Sequence, residues 1–225
     1  MSRALKPVEA PSDRREEILA VARELFFSQG FESASMRDVA KVIGFTQAAI
    51  YYHFASKDEI LFALIDDFTD QLLALLRRLI CESGDPGRDL EATVRAHILA
   101  TRTHYREIKL VLEDKKLLAK PLGDRVRARE IEIYELYRSR IAELMANRPN
   151  THITPAIATF TTLAAINFVY QWYRPNGPLE LEAVADQTVQ VLMRGMVGVD
   201  TAWANTASKK PVRALRPAAL PTRKR

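Results

Sequence analysis

Between Ser35 and Phe54 the chain reads SMRDVAKVIGFTQAAIYYHF, an order that suits two short helices at a tight bend and little else. Ser35 followed three residues later by Asp38 marks a helix start where side chain and backbone cap each other. Val39 and Ile43 stand four apart and share one face. Gly44 follows at once, and glycine most readily takes the left-handed backbone that ends a helix. Thr46 can cap a second helix carrying Gln47, Ala48, Ile50, Tyr51, Tyr52 and His53. The spacing predicts a helix-turn-helix over residues 35–54.

Helical spacing of apolar residues extends to both sides. Ile18, Ala22, Leu25 and Phe26 predict a first helix from about Asp13 to Ser28, closed by Gly30, with Phe31 plugging the same core. Ser56 and Glu59 open a fourth helix whose stripe runs from Ile60 to Leu79, and Ser83-Gly84-Asp85-Pro86-Gly87 is the clearest break. Five more helices are predicted: Leu90–Tyr105, Arg106–Lys115, Gly123–Met145, Pro155–Tyr173 and Glu180–Gly198. No alternating strand pattern of useful length appears, so the fold class is all-α.

The net charge of +5 hides an asymmetry: residues 208–225 carry seven basic groups and no acidic ones, leaving a net −2 for the remainder. That proline-punctuated end reads as disordered. The start has no apolar core of the kind a signal peptide needs. Asn150 to Tyr173 lacks Asp, Glu, Lys and Arg, but its threonines, Asn167 and Gln171 favour a buried helix over a membrane span. A cytoplasmic protein is expected. The single cysteine, Cys81, excludes an internal disulfide and reads as packed and silent. The four histidines lack metal-ligand spacing, and no HExxH, Gly-rich phosphate loop or GxSxG occurs. No metal, cofactor or catalytic residue is expected.

The run Ile50-Tyr51-Tyr52-His53-Phe54 followed by Ser56-Lys57-Asp58-Glu59 resembles the DNA-binding region of TetR-type transcriptional regulators, from roughly Asp13 to Leu73. The resemblance implies a three-helix DNA-binding domain over 13–73, after a flexible arm at 1–12. A helical ligand-binding and dimerisation domain over 74–200 and a basic tail over 201–225 would follow. It implies a homodimeric repressor, not an enzyme, released from a pseudo-palindromic operator by a small hydrophobic effector. The rival is an architectural DNA-binding protein whose C-terminal half only dimerises.

The first turns of a recognition helix approach base edges in the major groove. Gln47 is the candidate reader, because a side-chain amide pairs with adenine, and Ala48 is small enough for close approach. Relatives often carry lysine and glycine at these two positions. Thr46, Tyr51 and Tyr52 offer groups to phosphate, or one of the tyrosines an apolar edge to a base, and Ser35 and Arg37 could clamp the opposite strand. The resemblance assigns His53 and Lys57 to phosphate. Ile50 and Phe54 read as core.

A helix that is apolar nearly all round needs partners on two sides. Ile157, Phe160, Ala164 and Phe168, with Val184, Thr188, Val191, Leu192 and Met196 on the last helix, are the predicted four-helix dimer interface. The family's effector pocket lies among the C-terminal helices. Candidate lining residues are Tyr105, Leu110, Leu112, Tyr134, Tyr137, Asn167, Tyr170 and Gln171. The run from Phe168 to Leu179 resembles a turn in TetR-type regulators of fatty-acid and steroid catabolism, several of which answer to acyl-CoA thioesters. That implies phosphate contacts from Arg125, Arg127, Arg129 or Arg138, residues that equally suit a solvated helix face.

Overall fold

A computed structural model describes residues 11–146 and 153–197, so the expected arm before residue 11 and the basic tail lie outside the described residues. Among the described residues the chain is all-α, with nine α-helices and no strand.

Helix α1 (Pro11–Gln29) starts two residues before the expected position, with proline at its first place, where the missing N–H costs nothing. It ends on Gly30 at φ 85°, whose amide donates to Phe26 O at 3.1 Å. Phe31 then meets Phe26 edge to face at 5.1 Å, as the loop plug. Helices α2 (Met36–Ile43) and α3 (Gln47–His53) form the bend, and α4 (Lys57–Leu79) follows. Ser56 caps α4 by accepting from the Glu59 amide at 3.1 Å, but Glu59 reaches back to the Ala55 amide, one residue earlier than a capping box requires. At about 1.5 Å per residue α4 is about 34 Å long, enough to run from the DNA-binding end into the second half.

Past α4 the boundaries move. Cys81 is exposed, not packed, because Ile80 takes the buried place as α4 ends. Helix α5 (Pro86–Leu99) begins four residues before the expected Leu90, since Asp85 caps it through the Gly87 and Arg88 amides at 2.8 and 2.9 Å. The next boundary falls at Ala100, not between Tyr105 and Arg106. Helix α6 (Thr101–Lys109) has His104 outside helical geometry (φ −120°, ψ 28°), then passes through a π turn (Leu110–Asp114) and a 3₁₀ turn (Lys115–Leu117). Helices α7 (Leu122–Ala146), α8 (Pro155–Trp172) and α9 (Leu181–Val197) match expectation within two residues.

A buried ion pair locks this half. Arg140 on α7 pairs with Asp89 on α5 and donates through Nε to Ile80 O at 2.7 Å. The other Asp89 oxygen accepts from the Ser83 amide at 2.7 Å. The bond from Ser83, then Arg140, holds the Asp89 carboxyl below the usual carboxylate range, against the opposing effect of burial. The turn between α4 and α5 is thereby fastened to α7. Helix α9 lies along α5, while α7 packs between α4 and α8. No helix among the described residues is long and apolar enough to cross a membrane.

Candidate DNA-binding surface and effector cavity

The bend is built as its residues require. Ser35 Oγ accepts from the Asp38 amide at 3.2 Å, and Asp38 accepts from the Ser35 amide at 3.0 Å. The Ser35 hydroxyl, then its amide, holds the Asp38 carboxyl below its ordinary value. Gly44 stands at φ 81°, with its own amide and that of Phe45 donating to Ala40 O at 3.0 and 2.9 Å. Thr46 Oγ1 accepts from the Ala49 amide at 3.2 Å. Ile50 is fully buried and pins α3 to the core, with Phe54 buried beside the exit. Gln47, Ala48, Tyr51 and Tyr52 therefore face outward, Tyr52 at 85% exposure. Thr46, Ser35 and Arg37 are exposed too. His53 is half-buried, its ring edge-on to Tyr52 at 5.2 Å.

Lys57 departs from its expected role. Its Nζ donates to Phe31 O at 2.7 Å, Glu32 O at 3.2 Å and Ala34 O at 2.9 Å, and lies 4.4 Å from the Phe31 ring centre. An ammonium has three protons, and all three are engaged. Lys57 clamps the α1–α2 loop onto α4 because that loop's carbonyls converge on the first turn of α4. Arg14 and Arg15 lie over Phe45 (5.7 Å) and Phe54 (5.1 Å) and brace α1 against the bend.

Between α4, α5, α7 and α8 lies a cavity of about 870 Å³. Its walls are largely apolar, with Phe68 and Leu72 from α4, Val111 from the π turn, Val126 from α7 and Ile166 from α8. Polar groups enter at His97, Thr69, Thr101 and Asn167, and cationic ones at Lys115, Lys116, Lys120 and Arg127. Three of the expected lining residues are there: Leu112, Tyr134 and Asn167. Five are elsewhere. Leu110 is core, and Tyr137 is buried behind His97, 3.1 Å from its Nδ1. Tyr105, Tyr170 and Gln171 form a separate cluster: Tyr105 meets Phe27 edge to face and lies near Tyr170, Tyr170 donates to Glu113 at 2.9 Å, and Gln171 donates to Tyr170 at 3.0 Å. His97 was missed, although it continues the stripe of Leu90 and Val94 at helical spacing. Burial lowers its pKa to about 4, so it is neutral at physiological pH.

Of the four arginines implied for phosphate, only Arg127 lines the cavity. Arg125 and Arg129 face Asp66 at 3.8 and 3.7 Å, Arg129 also meets Asp70 at 2.5 Å, and Arg138 pairs with Glu135 at 2.9 Å. The acidic residues of α4 and of α7 itself claim these three.

The expected dimer face divides. Ile157, Phe160, Ala164 and Phe168 form an exposed stripe on α8, continued by Trp172. Val191 on α9 is 72% exposed, and Thr188 is half-buried. Val184, Leu192 and Met196 are buried within their own chain, a correction that follows from α9 packing against α5. Phe160 and Ala164 also line the cavity.

The two halves are joined by more than α4. Arg23 Nε on α1 lies 2.8 Å from buried Glu107 on α6, paired by charge with the N–H out of line, and Arg106 meets Glu24 at 3.1 Å. Ile108 at the end of α6, and the π turn beyond it, reach the cavity wall.

Residues 18–64 match the family described as "Bacterial regulatory proteins, tetR family", and residues 83–196 match "Tetracyclin repressor-like, C-terminal domain". The chain belongs to the TetR family of transcriptional regulators. It is a DNA-binding transcriptional regulator, not an enzyme. The repressor KstR2 of Mycolicibacterium smegmatis is 24% identical over 190 residues, covering 83% of this chain and 92% of that protein. A TetR/AcrR-family regulator from Thermobifida fusca shares 33% identity at a TM-score of 0.67, over 81% of this chain and 98% of that one. AibR, solved with isovaleryl coenzyme A and operator DNA, shares 25% identity at a TM-score of 0.74, over 80% of this chain and 98% of its own.

Proposed function

We propose that the chain is a homodimeric repressor that leaves a pseudo-palindromic operator when an acyl-CoA thioester enters the cavity. The observation that carries this reading is the cavity itself: an apolar chamber with a cationic border, walled partly by the helix that continues from the DNA-binding end. Such a chamber takes an apolar tail and leaves an anionic head among lysines. KstR2 is named a repressor, and AibR holds an acyl-CoA in the same fold.

One helix-turn-helix buries too little DNA to select a long site, and two-fold pairing places two copies of α3 about one helical turn apart. The exposed stripe of α8 with Val191 of α9 suits that pairing, since a partner would remove its large apolar groups from water. Gln47, Tyr51, Tyr52 and Arg37 then face the duplex, with Thr46 and Ser35 at two helix starts. The ligand acts by preferring the arrangement whose two recognition helices are misplaced for the operator.

The test is fluorescence anisotropy on DNA from immediately upstream of this protein's own gene, with long-chain acyl-CoA, free CoA and the free acid titrated into the preformed complex at fixed salt. Release by the thioester alone is expected. Release by none of them overturns the thioester reading, and equal affinity for random DNA would favour an architectural protein.

A further inference from the structure

An unbranched hydrocarbon tail leaves polar groups of the cavity wall unanswered, His97 among them. His97 projects from α5 with Nδ1 3.1 Å from the Tyr137 hydroxyl, and Tyr137 is fully buried and forms no part of the cavity lining. Tyr137 braces the ring from behind, so the Nε2 side faces the chamber. Nε2 makes no hydrogen bond among the described residues. The Tyr137 hydroxyl donates to Thr93 O at 3.5 Å and meets Nδ1 at 3.1 Å. The neutral imidazole presents Nε2 to the cavity, as donor or acceptor according to its tautomer. Thr69 lines the same chamber and donates its hydroxyl proton to Ile65 O at 2.8 Å, leaving oxygen lone pairs as acceptors. A buried polar atom that a ligand leaves unpaired weakens that ligand's binding.

The cationic residues stand at the other end. Arg127 precedes Tyr137 by ten residues on α7, about 15 Å along the axis at about 1.5 Å per residue. The lining holds four cations (Lys115, Lys116, Lys120 and Arg127) against two acids (Asp124 and Glu130). Lys115 pairs with Glu130, and Lys120 faces Asp124 at 3.9 Å. Lys116 and Arg127 have no ion pair among the described residues. The chamber is therefore cationic at one end and offers a neutral ring nitrogen at the other.

We infer that the effector is an amphipathic organic anion bearing a hydroxyl at the end opposite its charge, and that His97 reads that oxygen. The inference rests on the reading of this chamber as the effector site and narrows what enters it. A hydroxyl fits best, since it can accept from or donate to the ring nitrogen. A second carboxylate fits worst, because no cation stands at the His97 end to offset its desolvation.

The experiment displaces the anionic dye 1-anilinonaphthalene-8-sulfonate from the full chain with dodecanoate, 12-hydroxydodecanoate or dodecanedioate. The hydroxy acid is about 15 Å long when extended, at about 1.2 Å of advance per bond. It should bind at least tenfold more tightly than dodecanoate, with the diacid weakest. His97→Leu should erase the preference, and His97→Gln, whose amide keeps a donor and an acceptor, should retain part of it. Equal binding of the two monoacids to the unaltered protein overturns the inference. So does a preference that survives His97→Leu in a variant whose circular dichroism matches the parent. Should operator release by thioesters stand while the monoacids bind alike, only the oxygen reading falls. Should no acid displace the dye and no thioester release DNA, the effector-site reading falls with it.

Discussion

Lys57 gives its three protons to the carbonyls of Phe31, Glu32 and Ala34, so its removal strands acceptors that pack against α4. Lys57→Met should lower stability by about 1–3 kcal/mol in urea unfolding and leave the salt dependence of operator binding nearly unchanged. Arg37→Ala should do the reverse, weakening binding to all DNA and lowering the salt slope by about 1. A variant of Lys57 with full stability and a reduced slope would return that residue to phosphate. At Gly44 a methyl group meets nothing within 4 Å, so the cost of Gly44→Ala is the left-handed backbone alone, about 1–2 kcal/mol by the same unfolding measurement. The capping residues and Gly44 were legible in sequence because their partners lie within four positions. The role of Lys57 was not, because its partners lie 23 to 26 residues away. His97 sat in plain view within an apolar stripe, but only folding sets Tyr137 behind it.

Helix α5 carries two groups that oppose folding in acid. His97 titrates at about 4 in the fold and near 6.5 when unfolded, so the unfolded chain binds a proton first as pH falls. Its neutral-form stability is complete above about pH 6.5 and is lost on the way down to about 4. Between pH 7.5 and 4.5 that amounts to about 2–3 kcal/mol. Asp89 adds to the loss at still lower pH, because its carboxyl is held below the usual range and must be protonated. Urea midpoints across this range should fall for the parent and fall less for His97→Gln. Equal slopes would show that His97 is not held neutral. At this scale sequence located every helix after α4 but not every boundary. Ala100 and Thr101 carry no stop signal, and the distortion falls at His104, whose ring meets Phe68 at 5.3 Å. The face of α9 was misread for a related reason: apolar spacing says that a side is covered, not which helix covers it.

Across the whole molecule, function depends on surfaces that no single stretch displays. The cavity draws its wall from α4, α5, α6, α7, α8 and the turns between, which is why five of its eight expected residues were misplaced. Phe168, 56% exposed on the α8 stripe, offers the cleanest test of pairing. Phe168→Asp should give a monomer by sedimentation velocity, with operator affinity reduced by orders of magnitude while the helical circular dichroism is kept. A dimer that survives this change would place the partner elsewhere. Control of DNA binding by the cavity ligand is the central claim, and linkage tests it most directly: the affinity for long-chain acyl-CoA, measured with and without saturating operator. The thioester should bind about 5- to 150-fold more weakly to the DNA-bound protein, by the same factor with which it weakens the operator. Equal affinity in both states would contradict ligand control, however tightly either partner binds.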